Sequence, residues 1–181
     1  MRTRRDFKTI WKQSESDTGF MSVAGLAKSL GSRDADSRLR TLFRIREQID
    51  WKLLKGYFPL AKRLIGDPDN DCRWQALIIV GEFTRTHPED VLKVILHHGN
   101  SDDGDMRMGV ACVLLEHLLG HHFHDYFPRV RQEAIRSPLF AHTLSLCGNF
   151  VPSKRDWNKV RSLVRELDLV HVPADPRREK R

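Results

Sequence analysis

Cysteine is scarce in this 181-residue chain: Cys72, Cys112 and Cys147 make an odd number, none stands in a Cys-x-x-Cys spacing, and all lie inside apolar helical patterns. A disulfide scaffold is thereby excluded, and reduced, buried thiols in a cytosol-like compartment are expected. Long apolar runs are missing too. The best candidates are broken by Glu82 and Glu116 well short of the roughly eighteen residues a membrane span needs. The start MRTRRDFKTIWKQ lacks the apolar stretch of a secretory signal. A soluble, unexported, cytoplasmic protein is expected. Strand-like alternation bounded by turn residues is absent, and so are the phosphate-cradling G-x-x-x-x-G-K-[ST], the G-x-S-x-G elbow and the H-E-x-x-H helix. No catalytic residue, metal or cofactor is expected, and an enzyme is the less favoured class. What is present is 40% hydrophobic residues, enough for one ordinary core without staples.

The formal charge of +7 is unevenly divided. Residues 28–63 carry ten basic against four acidic side chains, whereas residues 64–126 carry four basic against eleven acidic. Phosphate binding needs positive charge gathered on one surface. An acidic centre between basic ends does not predict a continuous track for duplex DNA.

Almost every strong periodicity is helical, which predicts an all-α fold. Phe7, Ile10 and Trp11 fall at i, i+3, i+4 spacing, and a short helix from about Met21 to Leu30 stops at Gly31. Ser37 is expected to cap a helix running to about Ile49, with Leu39, Leu42, Phe43, Arg46 and Ile49 on one face. Pro59, Pro88 and Pro128 are each expected at a first helical position, opening PLAKRLI, PEDVLKVIL and PRVRQEAI. Each segment is followed by a turn and a more apolar helix, CRWQALIIVGEFTR, MRMGVACVLLEHLL and LFAHTLSLCGNF. An offset of 34 sets Arg73 over Arg107, Ala76 over Val110 and Val80 over Leu114, and a step of 33 back from Asp67 and Arg73 reaches Asp34 and Arg40. A fixed period of this length predicts stacked helical hairpins, none of which buries its apolar faces alone.

The stretch LAKRLIGDPDNDCRWQALIIVGEF resembles a HEAT repeat: Asp67 and Pro68 in the turn, Arg73 early in the second helix, then Ala76, Leu77 and Val80. Asp102 or Asp103 with Arg107 repeats the pattern without the proline, and Asp34 with Arg40 repeats it more weakly. The resemblance covers residues 34–150. It implies a right-handed α-α superhelix of stacked antiparallel hairpins, HEAT/armadillo-like, as one domain over 1–170. Residues 1–33 would form N-terminal capping helices, 153–168 a closing helix, and 171–181 a disordered basic tail. It also implies a ladder in which Asp67, Arg73, Asp102 and Arg107 tie one repeat's turn to the next. The TPR and ankyrin patterns share the period but not the residues. The di-iron hydroxylases built on HEAT repeats carry His-Glu pairs, and no His-Glu dipeptide occurs.

Among candidate site residues, His117, His121, His122, His124 and Asp125 form the densest set of metal-capable side chains. Gly120 is expected to end the helix and separate His117 from the rest, so a surface loop is favoured over a metal site. Trp74 sits between a stacking or anchoring role and core packing. The polar residues Glu82, Arg85, Glu116 and His117 are expected to line an accessible groove. Arg40 and Arg44, with Lys154, Arg155, Lys159, Arg161 and Arg165 near the other end, are candidates for phosphate contact but more usually form a solvated face. The expectation is an interaction or scaffold module that binds a protein or peptide on its concave face through Arg40, Arg44, Trp74, Glu82, Arg85, Glu116 and His117. The alternative is a DNA-binding protein similar to the alkylation-repair glycosylases built from HEAT-like repeats.

Overall fold

The computed structural model describes Thr9, residues 22–47 and residues 54–171. The Phe7, Ile10 and Trp11 pattern, the Ile49 helix end and the basic tail beyond residue 171 lie outside the described residues. Those described are all-α, without a strand among them, and none of their helices is long and apolar enough to cross a membrane. The chain divides into two compact units, Met1–Phe83 and Thr84–Arg181, and each is described by itself.

In the first unit, helix α1 (Val23–Ser29) begins where the Ser22 hydroxyl accepts from the Gly25 N–H, satisfying one of the donors a helix start leaves open. Helix α2 (Ala35–Glu47) is capped by Asp34, not by Ser37. The Asp34 carboxylate accepts from the backbone of Asp36 and Ser37, and the Ser37 hydroxyl, inside the first turn, donates to it at 2.6 Å. A carboxylate takes up several donors at once, so the helix starts earlier than the serine predicts. Its inward face is Arg38, Leu39, Leu42 and Ile45, while Arg46 is exposed.

Helix α3 (Leu54–Leu64) holds Pro59 in its interior rather than at its first position. Tyr57, Ala61 and Leu64 form an i, i+4, i+7 stripe that is almost wholly buried, so the apolar face begins upstream of the proline. Pro59 itself is exposed, where water can serve the carbonyl its missing N–H leaves open. Helix α4 (Asn70–Gly81) packs against both α2 and α3. Cys72, Ala76, Ile79, Val80 and the following Phe83 are fully buried, and Trp74 and Ile78 are half-buried. Phe83 meets Phe58 edge-on at 5.1 Å. A 3-10 turn, Glu82–Arg85, follows α4.

In the second unit, Pro88 does open helix α5 (Pro88–His98), with Glu89 and Asp90 in the first turn and His97 and His98 in the last, as the helix dipole favours. Gly99 ends it against α8. A Cβ there would lie 2.8 Å from the Phe140 ring, and the Gly99 carbonyl accepts from the Thr143 hydroxyl at 2.6 Å. Helix α6 (Gly104–Gly109) runs through a π-helical segment, Val110–Leu115, into α7 (Glu116–Arg136). Gly120 does not end this rod. The break is at His122 (φ −137°, ψ 39°), and Pro128 lies inside the second piece. Phe123, Tyr126, Val130 and Ala134 form that piece's buried stripe, which again starts before the proline. Helix α8 (Pro138–Ser145) is capped by Ser137 and packs against α7 and α9. Helix α9 (Lys154–His171) opens on a reciprocal cap: the Ser153 hydroxyl accepts from the Asp156 N–H and donates to the Asp156 carboxylate.

Candidate functional site

One turn recurs before α2, α4 and α6. Ser32, Asp67 and Ser101 each use a side-chain oxygen to accept the backbone N–H two residues on, at 3.2, 2.8 and 3.1 Å. The residue so held, Asp34, Asp69 or Asp103, then caps its helix with its own carboxylate. Arg38, Arg73 and Arg107 complete the set, each donating from its guanidinium to the carbonyl six residues earlier, at Ser32, Asp67 and Ser101. The geometric equivalent of Arg73 is therefore Arg38. Arg40, which the 33-residue step singles out, instead lies 3.8 Å from Asp34 at the surface and donates to Ser37.

The expected ladder pairing is redistributed in the same way. The Asp67 carboxylate is held by Arg38, through Nε to Oδ2 and Nη2 to Oδ1, both at 2.7 Å. Their side chains are 4% and 10% exposed. This bidentate bond between planar groups joins α2 to the turn before α4, and it holds the Arg38 proton more tightly than an ordinary guanidinium does. Arg73 reaches the Asp67 carbonyl and the Asn70 side chain rather than that carboxylate. Asp103 rather than Asp102 is the cap in the third turn, and Asp102 is exposed. Sequence spacing finds the period, but Asp67 alone has a carboxylate at the Ser32/Ser101 position, so no repeated letter marks Arg38 as its partner.

The proposed groove residues separate by unit. In the first, Arg40, Arg44, Trp74 and Glu82 are all half-buried. In the second, Arg85 and His117 are exposed, but Glu116 is only 6% exposed. It is not a groove residue: its Oε1 accepts from the Gly148 N–H, next to the π-helical segment, and burial pushes its carboxyl above the ordinary value. Burial also pushes the Cys72 thiol up to about 12 and raises those of Cys112 and Cys147. All three cysteines are free, with Cys112 and Cys147 half-buried rather than buried as expected. Desolvated thiols of this kind make poor nucleophiles.

Around the kink, Arg85 Nε donates to His121 Nε2 at 3.2 Å, and His122 Nε2 lies 3.0 Å from the Thr84 carbonyl. Burial and the Arg85 charge hold His121 below the ordinary imidazole value, which leaves its ring nitrogen free to accept. His124 points to Asp156 at 4.0 Å. Among the described residues, no three histidine, cysteine or acidic side chains converge in a way that could hold a metal ion. The histidines that cluster in sequence are drawn to different partners by the break at His122.

Of the candidate cations, Arg40 and Arg44 in the first unit are half-buried and Arg85 in the second is exposed. Comparison with known proteins returns no match: no family model fits the sequence, and no curated protein and no solved structure is similar to it.

Proposed function

We propose that this chain is a helical-repeat interaction module of HEAT-like type, an α-α superhelix that binds a protein or peptide on its concave face in the cytoplasm. The observation that carries the reading is the threefold turn, in which Asp34, Asp69 and Asp103 cap and Arg38, Arg73 and Arg107 close back on the carbonyl six residues before. A turn built the same way three times supports regular stacking, which needs successive hairpins to leave their turns alike. Apolar surface on two sides of α4 supports the same reading, since a helix between two neighbours needs both. The contact residues are Arg40, Arg44, Trp74 and Glu82 on the first unit and Arg85 and His117 on the second; Glu116 drops out because its carboxylate is buried on Gly148.

A photo-crosslinking residue placed at position 74 and, separately, at position 117 tests this. The same discrete protein should be captured from both positions, while the full chain should pass double-stranded DNA at about 0.15 M salt. Retention on DNA with a steep salt dependence, and no protein captured from either position, would favour the glycosylase-like alternative and overturn the proposal.

A further inference from the structure

Between α8 and α9 lies an open cavity of about 190 Å³. Leu144 and Val160, each 1% exposed, belong to its lining, with the half-buried Trp157 and Val164. Arg161 and Arg165, also in the lining, are both exposed, and neither forms an ion pair among the described residues. Four residues apart on one helix, they are neighbours on the same face. Lys159 is occupied by Asp156 at 2.8 Å, so the two arginines are the open cations at this notch.

We propose that this notch docks an acidic peptide, one apolar side chain entering between Leu144, Val160 and Val164 while flanking carboxylates bind Arg161 and Arg165. The size decides against a whole small-molecule ligand, whose sites run from about 300 to 1,000 Å³; a notch of 190 Å³ takes a single anchor side chain. The charge decides the flanks. Guanidinium groups bind carboxylates bidentately, and beside a desolvated anchor such pairs select the charge of the flanks and speed association. One aromatic, Trp157, and one pair of cations beside Leu144, Val160 and Val164 make a single site, unlike the row of stacking aromatics and spaced phosphate contacts a nucleic-acid strand needs. Lys154 and Arg155, exposed at the start of α9, extend the positive field that would draw an acidic segment in.

The proposal rests on the reading of the chain as a protein-binding module but concerns other residues than Trp74 and His117. A random seven-residue peptide library displayed against the immobilised full chain is the test. Enrichment of peptides with an apolar residue flanked by Asp or Glu is expected. A synthetic copy of one such peptide should lose at least tenfold in affinity against Arg161→Glu/Arg165→Glu, and regain it when its acids are replaced by lysine. The far-ultraviolet dichroism of the variant should match the parent. No enrichment, enrichment of basic or uncharged peptides, or affinity within twofold in the variant would overturn the proposal. So would tighter retention on anionic lipid vesicles or on an oligonucleotide than on the peptide. Peptide binding here with no capture from positions 74 and 117 sinks the concave-face reading alone. Capture there that the Arg161→Glu/Arg165→Glu change leaves intact, with no peptide selected, sinks this one alone.

Discussion

Replacing Asp67 by alanine removes the countercharge from a guanidinium that cannot return to water without moving α2. The Arg38 side chain is 10% exposed and loses both 2.7 Å charge-assisted bonds. Breaking a buried pair from one side costs about 3–5 kcal/mol. Arg38 keeps the Ser32 and Arg33 carbonyls at 2.9 and 3.1 Å, which places the loss near the lower end. The Asp69 N–H also loses its acceptor at 2.8 Å, a further cost of about 1 kcal/mol. A total of roughly 4 kcal/mol is expected. The double change Arg38→Met with Asp67→Leu removes the stranded charge and should recover most of that loss, since apolar replacements of both partners are often neutral. Urea unfolding followed at 222 nm gives the free energies, and hydrogen exchange over residues 67–81 localises them. A loss below about 1 kcal/mol for Asp67→Ala, or a double variant as unstable as the single effects summed, would refute the role given to this pair.

Other consequences follow from individual residues. Burial raises the Glu116 carboxyl, so the folded chain holds this proton more tightly than the unfolded one; its contribution favours the fold at low pH and declines as pH rises from the ordinary glutamate value through the raised one. Glu116→Gln keeps an oxygen for the Gly148 N–H and should flatten that decline in a series of melting temperatures from about pH 4 to 8; an unchanged slope would count against it. Gly99→Ala puts a methyl group 2.8 Å from the Phe140 ring and should destabilise by about 1–3 kcal/mol, read from thermal melting. At pH 8 a disulfide reagent should modify Cys112 before Cys72, whose thiol is pushed up to about 12; equal rates in the folded chain would contradict its burial.

The all-α class, the helix opened by Pro88 and the helix after Ser153 are legible in the sequence because periodicity and local capping agree there. Pro59 and Pro128 mislead because tertiary burial of Tyr57 and of Phe123 with Tyr126 carries each helix back past its proline. Ser37 and Asp34 both carry capping chemistry, and the competition between them is settled by which donors the carboxylate reaches. Arg38 and Arg40 are two residues apart on one helix, so a period of 33 to 35 does not choose between them; the buried Asp67 carboxylate does. Glu116 reads as a polar groove residue until its Gly148 partner, 32 residues away, is seen. The notch between α8 and α9 brings Leu144 together with Val160 and Val164, a meeting no single-helix period encodes. Its one local signal is the i, i+4 spacing of Arg161 and Arg165.

The stacked-hairpin account is tested most directly by lengthening the stack. A second copy of residues 67–100, one full period between equivalent turn positions, can be inserted between Asn100 and Ser101. Each hairpin interacting chiefly with its neighbours predicts a soluble, cooperatively unfolding protein whose helical dichroism per residue equals the parent's. A chain that aggregates, or that melts without a cooperative transition, would contradict the account.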